Sequence, residues 1–221
     1  MATGFALTGC LWGCAGSAPK SSGLQSRTPA QIVRAAEVAA KGAVSVHVAG
    51  SIVSAGKPIS IDMELVAGKG GKGKLALEGL RVDLIDVGNE AYVRGNEAFD
   101  ATVVGSSVAR RMRGKWLKVP ADGGPFGALF ALANLDALVG ETLASHGPLT
   151  RAEGAEIDGR PAVGVTDESR GGTLYVAGTG TPYPLELVER GGRVVFDRWN
   201  RLVTLTPPSE WINVNRFKTG R

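Results

Sequence analysis

From residue 44 onward, apolar and polar positions alternate. Val44, Val46 and Val48 alternate with Ser45, His47 and Ala49. Ile59, Ile61, Met63 and Leu65 alternate with Ser60, Asp62 and Glu64, and Leu75 and Leu77 with Lys74, Ala76 and Glu78. Val82 and Leu84 continue the pattern, and residues 91–93 follow a Gly88-Asn89 turn. A period of two marks antiparallel strands with one dry and one wet face. Strand signals resume at 149–157, 162–166, 172–177, 184–189, 194–196 and 203–205, with Asp158-Gly159 and Gly191-Gly192 as hairpin turns.

The period changes to the helical one in three places. Residues 29–40 form a helix with Thr28 as N-cap, Pro29 at its first turn, Gly42 as stop and a stripe of Ile32, Ala35, Ala36 and Ala39. Residues 96–113 tolerate a helix around Val103, Val104, Val108 and Met112. After a short strand at 114–120, residues 126–143 read as a helix with Leu129, Leu132, Leu135, Leu138 and Val139 on one side and Phe130 beside them. One helix, about five strands, two helices and about six strands make an α+β chain. Its long curved antiparallel sheet, of about 11 strands, must cover its apolar face, and the inserted helices are the natural cover.

Composition changes this picture little. The 32 glycines among 221 residues are about twice the usual share and far below a collagen repeat, and they fall mainly where strands reverse. Hydrophobic residues at 43% and a net charge of +4 exclude a disordered chain, and no apolar run reaches the ~20 residues of a membrane span.

The cysteines change it more. Cys10 and Cys14 both lie in the first fourteen residues, so no disulfide staples the fold. Leu7-Thr8-Gly9-Cys10 has the pattern cut by lipoprotein signal peptidase: small residues beside the scissile bond and a thiol to carry diacylglycerol. The small, polar stretch at 15–23 then reads as a flexible tether. Residues 1–7 lack the cationic and apolar regions of a secretory signal. The lipobox reading therefore expects a start upstream of Met1; the competing reading is a chance match in a small-residue-rich tail. Cys14, preceded by Trp12-Gly13, is a poorer match to that pattern and reads as an idle thiol. The division is a truncated signal and tether at 1–28, one domain at 29–208 and a C-terminal tail at 209–221.

Several motifs fail on context. Gly68, Gly70 and Gly73 fit G-x-G-x-x-G, and Lys74 extends a partial P-loop. The run joins two strands rather than a strand and a helix, and Leu75 stands where Mg²⁺ needs Ser or Thr, so it reads as a cationic hairpin tip. His47 and His146 have no nucleophile motif beside them, and no His/Asp/Glu cluster has metal-ligand spacing. Asp83 and Asp86, three apart on a strand, point to opposite faces. No catalytic residue, cofactor or metal is expected. The clusters Lys69, Lys72, Lys74 and Arg110, Arg111, Arg113, Lys115, Lys118 lack the interleaved aromatics of a nucleic-acid site. Attraction to anionic lipid head groups and a plain solvated surface remain as equal readings of them.

The order of segments 42–50 (GAVSVHVAG), 70–95 (GGKGKLALEGLRVDLIDVGNEAYVRG), 114–120 (GKWLKVP), 135–138 (LDAL), 172–187 (GTLYVAGTGTPYPLEL) and 196–207 (FDRWNRLVTLTP) resembles actinobacterial LolA-like lipoproteins of the LppX/LprG type. The resemblance implies a half-open β-barrel whose concave apolar face, capped by helices, encloses a cavity for acyl chains. It implies a non-enzymatic carrier of lipids or acylated molecules, anchored at the extracytoplasmic face of the cell membrane by palmitate-type chains. On this reading Cys10 is the lipid attachment site. Val46, Val48, Ile59, Ile61, Met63, Leu65, Leu75, Leu77 and Leu84 line the cavity together with Leu129, Phe130, Leu132, Leu135 and Leu138. The alternatives are a structural or signalling lipoprotein whose helices fill the sheet completely, and, third, an enzyme with a polar cluster around Asp83 or His47.

Overall fold

The computed structural model describes residues 21–54, 56–120, 127–144, 146–169 and 171–217. Cys10, Cys14 and the tether up to residue 20 lie outside these residues. The chain opens with α1 (Pro29–Lys41), started by a reciprocal cap: Gln31 N donates to Thr28 Oγ1 at 3.3 Å and Thr28 N donates to the Gln31 amide oxygen at 3.0 Å. Its buried residues, Ile32, Ala36 and Ala40, are small enough to let the helix lie close to the sheet.

Five strands follow as a meander: β1 (Ser45–Ser54), β2 (Lys57–Val66), β3 (Gly70–Leu77), β4 (Leu80–Val87) and β5 (Glu90–Gly95). Next come α2 (Glu97–Val104), α3 (Ser106–Met112), the short strand β6 (Leu117–Val119), α4 (Gly127–Ala131) and α5 (Leu135–Leu143). A second meander runs through β7 (Leu149–Ile157), β8 (Arg160–Asp167), β9 (Gly172–Ala177), β10 (Pro184–Glu189) and β11 (Gly192–Asp197), and β12 (Ile212–Asn213) ends the sheet.

All of them join one sheet in the order β12-β6-β5-β4-β3-β2-β1-β11-β10-β9-β8-β7. The meanders meet where β1 pairs with β11, and every pairing is antiparallel except β12 with β6. β7 and β12 are the two ends of the order, so the sheet is not closed into a barrel.

Register separates the faces. On the concave side one row runs Phe196, Val48, Met63, Gly73, Leu84, Val93, Leu117 across seven strands. On the convex side Asp62, Lys74, Asp83 and Arg94 oppose one another in sequence. Arg94 bonds Asp83 at 2.6 Å and lies 4.6 Å from the centre of the Trp116 ring. Helices cover the concave side: α1 packs on α5 and on β7–β9, and α2 on β4 and β5.

Four expectations change in detail. The sheet has 12 strands rather than about 11. The helical stretch at 96–113 is broken at Gly105 (φ 83°), a backbone that L side chains rarely adopt. The stretch at 126–143 is two helices, because Asn134 caps a new one by accepting the Ala137 amide at 2.9 Å. Residues 203–205 form no strand: both neighbours of β11 are already taken, and the segment instead crosses the convex face, where Lys72 Nζ donates to the Thr204 carbonyl at 3.1 Å. The tail after 208 contributes β12, whose Ile212 amide donates to the Trp116 carbonyl at 2.9 Å.

Candidate functional site

The glycines of the supposed phosphate loop serve packing. The turn between β2 and β3 is residues 67–69 only, and Gly70, Gly71 and Gly73 lie within β3. A Cβ on Gly73 would stand 2.1 Å from the Asp62 carbonyl oxygen and 2.7 Å from Met63 Sδ; one on Gly71 would stand 3.1 Å from the Ala133 carbonyl oxygen. Bare backbone here lets the α4–α5 connection rest on the sheet.

Beside that contact the cover stands off. A cavity of about 710 Å³ lies between α4–α5 and the far halves of β1, β2, β10 and β11. Val48, Ile52, Ile61, Leu187, Val194 and Phe196 form its sheet wall, and Ala131, Leu132, Ala137 and Leu138 its helical wall. The polar groups Glu141, Thr142, Glu189 and Arg190 stand at its rim with Val53, which is 43% exposed. Apolar walls with few polar groups at the opening suit a hydrocarbon ligand.

Of the residues expected to line such a cavity, Val48, Ile61, Leu132 and Leu138 do so. Val46, Met63, Leu65, Leu75, Leu84, Phe130 and Leu135 are buried in the packed core under the helices. Leu129 is half-buried against that core, and Ile59 and Leu77 are half-buried as cross-strand partners. Cys10 lies outside the described residues. Sequence reasoning missed Ile52, Leu187, Val194 and Phe196, although the same alternation marks them as inward.

The polar candidates sit elsewhere. His47 Nδ1 lies 2.5 Å from Asp197 Oδ1 and its Nε2 3.0 Å from Asp62 Oδ1. Both acids are on the convex face, and only the doubly protonated ring donates to both. Asp83 is engaged by Arg94 on that same face. Asp86 is half-buried, and burial raises its pKa. The titratable group most altered is Asp100 on α2. It is fully buried, and neither carboxylate oxygen has a hydrogen-bond partner among the described residues. Burial pushes its pKa up to about 6, helped by nearby Glu97; the Gly95 amide, which falls short of hydrogen-bond geometry, offsets only part of this. It belongs to α2, not to the cavity wall.

Half of the cations in the basic clusters are paired in place: Lys72 with Glu64, Arg110 and Arg113 with Glu97, and Lys118 with Glu90. Among the described residues no three or more His, Cys, Asp or Glu are placed to hold a metal ion, and no helix is long and apolar enough to cross a membrane.

No protein-family model and no curated protein matches this chain. Solved structures do. LprF from Mycobacterium bovis superposes with a TM-score of 0.59 at 16% identity, over 82% of this chain and 97% of that one. The Mycobacterium tuberculosis lipoprotein LppX gives a TM-score of 0.49 at 16% identity, over 80% and 98%. The likeness to LprF matches the fold expected from the sequence: α+β, LolA-like, with an open sheet wrapped over helices.

Proposed function

We propose that this protein is a membrane-anchored lipoprotein that holds an acyl chain in the cavity beneath α4–α5 and carries or presents it within the cell envelope. The observation that carries this reading is the cavity itself, about 710 Å³ with apolar walls. A methylene fills on the order of 30 Å³, about a water molecule's share of liquid, so the space takes roughly two dozen of them. That is one long chain.

The energetics suit a carrier. Leaving water, each methylene gains about 0.8 kcal/mol. Leaving a bilayer it gains almost nothing, since both surroundings are apolar. Loading from and unloading to a membrane are then close to balanced. The filled-core alternative describes the β3–β6 half, where Leu75, Leu84, Val93 and Leu117 are packed under helices; the cavity occupies the other part. The positions of His47, hydrogen-bonded between Asp62 and Asp197, and of Asp83, paired with Arg94, on the convex face away from the cavity favour a non-catalytic role.

Cys10 is the proposed attachment site, which would hold the domain at the extracytoplasmic face. Gentle purification of the full chain followed by solvent extraction and mass spectrometry should recover acyl lipid at about one chain per protein, the capacity the cavity volume sets. Recovery of none, with no thermal shift on adding lipid, overturns the proposal. Metabolic labelling with a fatty-acid analogue tests Cys10 separately.

A further inference from the structure

We propose that the end of the molecule formed by α1, residues 181–183 and residues 200–202 docks on an anionic lipid bilayer. This goes beyond the cavity reading and does not depend on it.

Among the described residues, six large hydrophobics are exposed, and three of them, Val38 (65%), Val44 (60%) and Leu202 (98%), are on this end. Their adjacency follows from printed contacts. The Val44 amide donates to Asn200 Oδ1 at 2.8 Å, and Asn200 Nδ2 donates to the Tyr183 hydroxyl at 2.6 Å. Pro182 and Thr181, just before Tyr183, form a groove with Arg27, Arg34 and Val38 of about 640 Å³. Ser45 Oγ donates to the Arg201 carbonyl at 2.5 Å, which ties the backbone just before Leu202 to the residue just after Val44.

The charges on this end are Arg27, Arg34, Lys41 and Arg201, with Glu37 as the carboxylate on α1. Glu37 is engaged by Lys41 at 2.6 Å. Among the described residues Arg27, Arg34 and Arg201 form no ion pair, whereas Lys72, Arg110, Arg113 and Lys118 of the clusters elsewhere are paired with acids. Single exposed apolar residues need no explanation, but apolar side chains ringed by unpaired cations match the chemistry of a charged bilayer interface. Cations near an anionic surface gain about 1 kcal/mol each, and the apolar side chains bury in the acyl boundary. A second copy would bring like charges together, and the core of a protein interface is depleted of charge.

A further observation points the same way. The Ser22 amide donates to the Gly178 carbonyl at 2.9 Å and Ser21 bridges Thr179, so the first described residues are fixed two positions from Thr181 of this groove. This end holds the starts of β1 and β10, whereas the cavity opens at the hairpin tips where those strands finish.

The test uses the full chain with Cys10→Ser and Cys14→Ser, so that no acyl anchor contributes. Flotation is measured with phosphatidylcholine vesicles, with and without phosphatidylglycerol, at low and high salt. We expect binding at least about tenfold tighter with phosphatidylglycerol and lost at high salt. Arg34→Glu with Leu202→Asp should weaken it about tenfold or more, while Arg34→Lys retains it and Arg110→Glu with Arg111→Glu changes it less than about twofold. Both altered sites are exposed, and unchanged thermal melting confirms that the variants fold. Equal binding to both vesicle types, indifference to Arg34→Glu with Leu202→Asp, or an equal loss from the Arg110 and Arg111 reversals overturns the proposal.

Discussion

Gly71 of β3 lies directly beneath Ala133, in the joint between α4 and α5: a Cβ added at Gly71 would meet the Ala133 carbonyl oxygen at 3.1 Å and Leu65 Cδ2 at 2.7 Å. The sheet and its cover touch here backbone to backbone, which sets where the helices rest and where they stand off.

Gly71→Val should therefore push the α4–α5 joint off the sheet. Overpacking of this kind costs about 1–3 kcal/mol, to be measured by urea denaturation. Gly79→Val provides the contrast. Nothing lies within 4 Å of a Cβ there, but its φ of 82° makes the substitution strained for a backbone reason. Gly79→Val should lose stability without changing lipid capture; Gly71→Val should change both.

Leu138 is half-buried on the helical wall of the cavity. Leu138→Asp puts a carboxylate where an acyl chain would lie, at a desolvation cost of about 2 kcal/mol or more. Co-purified lipid should fall at least about tenfold, while Tm drops by only a few degrees, because solvent reaches this position in the empty protein.

Asp100 makes stability depend on pH. Its folded pKa is about 6 against an ordinary 3.8, so between those values the native state holds a proton that the unfolded state has lost. Stability therefore falls as pH rises from about 4 to 6, by on the order of 1–3 kcal/mol in all. Asp100→Asn removes the titration, so its denaturation midpoint should gain on wild type as pH rises across that window. A wild-type-minus-variant difference that is flat from pH 4 to 7 refutes the assignment.

Trp211 pins the crossing segment to the sheet edge. The Lys118 ammonium lies 4.9 Å from its ring centre, and the Tyr92 ring packs against it tilted by 60°, centroids 6.1 Å apart. Trp211→Ala should cost about 1–2 kcal/mol. It should also raise amide exchange at β6 and β12 and leave lipid capture unchanged, since Trp211 is remote from the cavity wall.

Most strands were legible because a one-sided sheet writes its register into the chain. Val48, Met63 and Leu84 are each polar-flanked in sequence and share one row in space. Two kinds of information were not local. Leu129, Leu132, Leu135 and Leu138 keep an apolar spacing of three across the α4–α5 break; Asn134 was the cap signal, legible only once the helix was known to restart. Residues 203–205 alternate well, but a strand needs a free neighbour, and β11 has none. The same limit governs the site. Alternation gives the inward face, so Val46 and Val48 look equivalent, and both are buried in the core, yet only Val48 also borders the cavity. Which inward residues stay uncovered depends on where the helices rest, and that is decided at Gly71.

The unjoined ends of the sheet carry a mechanical consequence. A closed barrel has its girth fixed by strand number and shear. Here β7 and β12 share no ladder, so the sheet can flatten or tighten while every existing hydrogen bond between strands is kept. The volume beneath α4–α5 is thus a resting dimension, and the scaffold around it is compliant. A bulkier cargo would be met by a change of curvature, at the expense of bending rather than of broken pairing.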